Sequence, residues 1–130
     1  GGVANTMPKF AAFMMFFAMA NAGLPGTSGF VGEFLVILGV FQVNPLYAII
    51  AGTTLVLGAA YTLWMYRRVI FGAVSNDNVK ALKDINSREV FFLLILTLSV
   101  LIMGLWPAPF LETINTSVDK LLTLAAVTKL

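Results

Sequence analysis

The chain has 130 residues, 59% hydrophobic and 11% charged, with a mean hydropathy of +0.93; a soluble domain ordinarily carries about 25% charged residues, so this composition cannot make a water-facing surface. Eight Lys and Arg against six Asp and Glu leave a net charge of +2, too small a surplus to mark a nucleic-acid partner. There is no Cys and no His, which excludes thiolate nucleophiles, imidazole bases, zinc sites and haem or iron–sulfur ligation, and leaves carboxylates, amines, hydroxyls and amides for any chemistry.

In chain order, Gly1–Met7 lacks the basic region and cleavage site of a secretory signal. A start at Gly1-Gly2 without Met reads as part of a longer polytopic chain. Residues 10–43 form the first apolar stretch. Gly23-Leu24-Pro25-Gly26-Thr27-Ser28-Gly29 interrupts it and splits it into Phe10–Ala22 and Phe30–Val43. Each half would rise about 20 Å as a helix, short of a hydrocarbon core of about 30 Å. The expectation is one discontinuous transmembrane helix, with two spans joined by a tight turn as the alternative. Leu46–Tyr66 runs without a charge and is long enough to cross by itself.

Arg67–Glu89 is predicted to be a loop. It carries Arg67, Arg68, Lys80, Lys83 and Arg88, so it is expected on the cytoplasmic or matrix side. A broken single span would add Lys9 to that side and leave Lys120 and Lys129 opposite, the more biased distribution and therefore the favoured one. Asn86-Ser87 reads as a helix cap, with Glu89 in the first turn, where the helix dipole favours an anion. The next span, 90–107, is uncharged from Val90 to Trp106 and is closed by Pro107 and Pro109. The tail, 108–130, repeats Phe110, Leu111, Ile114, Val118, Leu121 and Leu122 at helical spacing and reads as an amphipathic helix at the opposite interface. The predicted fold is an all-α, polytopic transmembrane helix bundle containing one discontinuous helix and two continuous spans.

Glu33 is the one charge inside these apolar stretches, lying among Phe30, Val31, Phe34, Leu35, Val36 and Ile37. A carboxylate at mid-membrane costs at least a few kcal/mol and is kept where it faces a bundle interior, pairs with a cation or takes up a proton. A carboxyl removed from water favours its protonated form, the property a proton relay uses. A break in the same helix strengthens that reading, because discontinuous helices place free backbone groups around ion sites. The plainer alternative is a salt bridge that pins helices together. Asn21, Thr27 and Ser28 are candidate water-lining residues, with capping of the broken ends as the equal alternative. Arg67, Arg68 and Lys9 read as interfacial anchors.

The run Asn21-Ala22-Gly23-Leu24-Pro25-Gly26-Thr27-Ser28-Gly29-Phe30-Val31-Gly32-Glu33-Phe34 resembles the antiporter-like chain M, or chain 4, family of respiratory complex I, the proton-pumping NADH:quinone oxidoreductase. Met7-Pro8, Tyr61–Phe71, Ser87-Arg88-Glu89 and Trp106-Pro107-Ala108-Pro109 extend the resemblance over nearly the whole chain, though only about the last quarter of the family's length. The resemblance implies the end of a fourteen-helix fold, with Gly23–Gly29 as the break in helix twelve and Glu33 as a proton-relay group on it. It implies an inner-membrane location, bacterial or mitochondrial, beside other membrane subunits of the complex, and no cofactor, metal or redox catalysis in this chain. Sister subunits and the related sodium/proton antiporters usually carry Lys where this sequence has Glu33. The alternatives are a subunit of such an antiporter, driven by ion gradients, and a purely structural membrane scaffold.

Overall fold

A computed structural model describes residues 1–127. Lys129 and the last three residues of the 108–130 tail lie outside the described residues. All described regular structure is helical: α1 (Val3–Thr6), α2 (Pro8–Asn21), α3 (Ser28–Val43), α4 (Pro45–Ile70), α5 (Asp77–Lys80), α6 (Ser87–Leu105) and α7 (Ala108–Val127).

Local chemistry sets most of the helix ends. Asn44 caps α4, its side-chain oxygen accepting from the Leu46 N–H at 3.0 Å, with Pro45 at the first helical position, where no N–H is needed. Asn86 and Glu89 form a reciprocal capping box on α6, Glu89 N–H to Asn86 at 2.9 Å and Asn86 N–H to Glu89 at 2.8 Å. That places the start of α6 at Ser87, three residues before the uncharged run. Beyond Tyr66, α4 continues to Ile70 because Arg67 and Arg68 suit a helix C-terminus and Ile70 is fully buried. Arg68 also lies over the Trp64 ring at 4.8 Å.

The chain is non-helical over residues 22–27, and both sides of that break are explicit. Gly23, at φ +80°, ends α2 in a Schellman arrangement: its N–H reaches the Ala20 carbonyl at 3.2 Å, while the Leu24 N–H reaches Met19 at 3.0 Å. Leu24-Pro25-Gly26-Thr27 then makes a turn of the type II pattern, with Gly26 at φ +92° and the Thr27 N–H on the Leu24 carbonyl at 3.1 Å. Thr27 is extended and α3 begins at Ser28, so Ser28 and Gly29 are already helical rather than part of the break.

The two halves run on in one direction along α4. The Tyr66 hydroxyl donates to the Ala11 carbonyl at 2.9 Å, Thr62 lines one cavity with Ala18 and Asn21, Leu55 lies near Gly23, and Ala51 lines another cavity with Ile37. Falling numbers on α4 thus meet rising numbers through α2 and α3, an antiparallel seam. A Cβ at Gly29 would strike the Ala20 carbonyl, so the half-helices overlap by about one turn. With α2 and α3 rising about 21 and 24 Å, that overlap brings their joint length near the 39 Å or so of α4. The break therefore lies opposite the middle of α4. Gly104 of α6 packs on the backbone of Gly26 and Thr27 and closes the third side.

α4 and α6 are long and apolar enough to cross a membrane; α3 is apolar but shorter. Their side chains face outward rather than into a core: Phe34, Val36, Val56, Trp64, Phe91 and Leu98 are all exposed. An apolar surface of that extent requires lipid or neighbouring helices as its solvent. The tightly packed part lies at one end, where Ala11, Tyr66 and Ile70 gather Val3, Phe10 and Met14 around them. Along α7, Ile114, Val118 and Leu121 form part of an exposed apolar face on an amphipathic helix.

Candidate functional site

Glu33 stands in the second turn of α3, half-buried, beside the overlap of the two half-helices. Its position depends on Gly23. A side chain there would bring its Cβ to 2.5 Å from Glu33 Oε2. Oε2 is buried and has no hydrogen-bond partner among the described residues. Lys80–Asp77, at 3.0 Å, is the one ion pair among those residues, so within the described chain Glu33 is not held by a cation.

Two cavities meet at this carboxyl. One, of about 370 Å³, is shared with Asn21, Ala22, Thr54, Gly58 and Tyr61. The other, of about 470 Å³, is shared with Ser28, Gly32, Ile37 and Thr54. Either has room for several waters, and both offer the amide or hydroxyl groups that water needs as partners. Asn21 and Ser28 thus each line one of the two cavities with Glu33. Thr27 does not join them: it is 1% exposed and its hydroxyl donates to the Leu24 carbonyl at 2.6 Å, closing the turn. Thr54 and Tyr61 were not singled out from sequence, although Thr54, Gly58 and Tyr61 recur at positions i, i+4 and i+7, marking one polar and small face of an apolar helix. No group of three or more acidic side chains gathers as a metal site among the described residues. A lone carboxyl between hydroxyls and an amide can bind, hold and release a proton through water.

A second carboxylate anchors this architecture from far along the chain. α2 begins without a side-chain cap of its own. Asp84 supplies one from the loop before α6, accepting from the Lys9 N–H at 2.9 Å and the Phe10 N–H at 3.2 Å. Burial opposes its charge, but the N–H groups of Lys9, Ile85 and Phe10, helped by the Lys9 ammonium, outweigh that and hold the carboxyl below the ordinary aspartate range. With the folded value depressed, the contribution of Asp84 is complete above about pH 3.9, the unfolded value, and is lost as pH falls through the folded one. Asp84→Asn is expected to flatten this acid limb and speed hydrogen exchange at the Lys9 and Phe10 amides at neutral pH. Unchanged exchange at both amides would show that the cap does not form.

A family model described as NADH:quinone oxidoreductase/Mrp antiporter, TM matches residues 1–58, the segment that contains both half-helices, the break and Glu33. Residues 1–58 are thus similar to this family. Among curated proteins, the chain is similar to NADH-quinone oxidoreductase subunit M of Rhodobacter capsulatus, 47% identical over 93% of the chain and 24% of the relative. NADH-ubiquinone oxidoreductase chain 4 of Marchantia polymorpha is 46% identical over the same shares. Among solved structures, a chain of respiratory complex I from Thermus thermophilus with bound NADH is 34% identical. It superposes with a TM-score of 0.76 over 85% of this chain and 23% of that one. The chain spans about a quarter of the length of the curated relatives it matches.

Proposed function

We propose that this chain forms part of a proton-translocating, antiporter-like membrane subunit of an NADH:quinone oxidoreductase, and that Glu33 is its proton-relay group. One observation carries the reading: a carboxyl whose Oε2 is buried and has no partner among the described residues lines two cavities at a helix break midway along a membrane-length helix. Protonated, it fits apolar surroundings; ionised, it needs water or a cation brought to it. Redox energy released elsewhere in the complex would move that water and charge, and Glu33 would accept a proton from one side and release it to the other. On this reading the chain itself holds no redox cofactor and performs no bond chemistry, works beside other membrane subunits, and resides in a bacterial plasma membrane or a mitochondrial inner membrane. The names of its relatives favour this over a sodium/proton antiporter subunit. The test is proton pumping by the complete complex carrying Glu33→Gln.

The same reading assigns sides. Arg67–Glu89 faces the cytoplasm or matrix, and α7 faces the other compartment. Single cysteines at Asn78 and Thr116, both exposed, are expected to react with an impermeant thiol reagent from opposite sides of sealed membranes. Reaction of both from one side would contradict this topology.

A further inference from the structure

Most of the cations gather at one end of the molecule. Lys9, Arg67, Arg68, Lys80, Lys83 and Arg88 belong to segments that meet at the N-terminus of α2. Asp84, next to Lys83, accepts from the Lys9 and Phe10 N–H groups, and Tyr66, next to Arg67, donates to the Ala11 carbonyl at 2.9 Å. The same segments carry three carboxylates, and each is already committed. Asp77 pairs with Lys80 at 3.0 Å. Asp84 accepts from the backbone N–H groups of Lys9, Phe10 and Ile85, and Glu89 accepts from Asn86 in the capping box. Arg67, Arg68, Lys83 and Arg88 are exposed and form no ion pair among the described residues. Six cations against three carboxylates leave a surplus of three positive charges. The negative half-charge at the C-terminus of α4 offsets only part of its two guanidiniums.

Two of these cations are also fixed in height. Arg68 lies over the exposed Trp64 ring at 4.8 Å, near the end of α4, and Arg88 lies over the exposed Phe92 ring at 5.9 Å, at the start of α6. α4 and α6 are the two helices long and apolar enough to cross a membrane. An indole on such a helix settles at the level of the lipid headgroups, so a guanidinium stacked on it is held at that level too. Orienting the chain takes the charges alone. The stacking adds a planar donor fork at phosphate height, a geometry that matches phosphate oxygens. Water can hydrate these cations but brings no counter-charge, whereas a leaflet rich in anionic phospholipid does.

We propose that this end of the chain binds the headgroup phosphates of anionic phospholipids, one at Arg68 on Trp64 and another at Arg88 on Phe92, with Arg67 and Lys83 strengthening the field. Glu33 has no part in this binding, which stands or falls apart from the relay.

The test uses the complete complex in phosphatidylcholine vesicles that carry a trace of either photoactivatable phosphatidylglycerol or photoactivatable phosphatidylcholine. Adducts are mapped by mass spectrometry to the segments carrying Trp64 and Phe92. In the wild type, phosphatidylglycerol is expected to label both segments about fivefold or more over phosphatidylcholine, and added salt to weaken that preference. Arg67→Gln/Arg68→Gln is expected to lower the preference about fivefold for each charge removed at the Trp64 segment and to spare the Phe92 segment. Arg88→Gln is expected to do the reverse. Equal labelling by the two lipids in the wild type would overturn the inference, and is the result expected if carboxylates of a neighbouring subunit cover these cations. A preference that survives unchanged in the variants would overturn it as well. The wild-type comparison needs no variant, and the two sites are read independently, so failed assembly of one variant leaves the inference open to refutation.

Discussion

Glu33→Gln in the fully assembled complex is expected to lower proton pumping roughly tenfold or more, the scale on which a positioned acid–base group acts, and to lower quinone reduction with it because the two are coupled. Gln matches the side chain in length, planarity and hydrogen-bonding shape but cannot gain or lose a proton at working pH. Assembly is expected to be nearly intact. Glu33 makes no ion pair with the described residues, and the cavity beside it already offers Asn21 and Thr54 as neutral company. Glu33→Asp keeps the titration and shortens the reach, so partial activity is expected. Glu33→Lys restores an ionisable group of the other sign and is expected to pump better than Gln. Proton uptake and quinone reductase turnover in membranes check all three variants. Wild-type values of both in Glu33→Gln would reject the relay role, and failed assembly would turn the weight toward a structural one.

The second large effect is expected at Gly23. Gly23→Ala places an L side chain at φ +80°, which costs roughly 1–2 kcal/mol, and aims its Cβ at Glu33 Oε2. The carboxyl is the far end of a flexible side chain, so it yields before the backbone does and is pushed away from the cavity it shares with Asn21 and Tyr61. A displacement of about 1 Å at a reacting group can cost about a hundredfold in rate. Gly26→Ala is the control: at φ +92° it carries similar backbone strain, yet its Cβ meets only Leu105 Cδ2, at 3.6 Å. The expected result is similar assembly of the two variants and a much larger loss of pumping in Gly23→Ala. Equal pumping in both would mean that Gly23 serves the turn alone.

Much of this chain was legible in its sequence because the deciding interactions lie within a few residues of one another. The Asn86–Glu89 capping box spans three positions, Pro25-Gly26 writes its own turn, and the uncharged runs of α4 and α6 are long enough to cross a membrane unaided. Glu33 could be singled out for a related reason. A lone charge among apolar neighbours is conspicuous wherever the chain places it, since its desolvation cost depends on those neighbours more than on the fold. Local chemistry could not say whether α2 and α3 continue in one direction or double back, because a Schellman end followed by a four-residue turn permits either. The α4 seam, from Tyr66 on Ala11 to the cavity that Ala51 lines with Ile37, decided it. Tertiary structure also separated residues that the sequence left equivalent: Thr27 bonds the Leu24 carbonyl, while Asn21 and Ser28 line the cavities beside Glu33. Asp84 had no sequence signal as a cap for α2, since its partners lie 75 and 74 positions away. Thr54 and Tyr61 join the site only because α2 and α3 are set against α4. Sequence records each side chain's intrinsic preferences, whereas a cavity or a cap supplied from a distant loop exists only once separate segments are packed together.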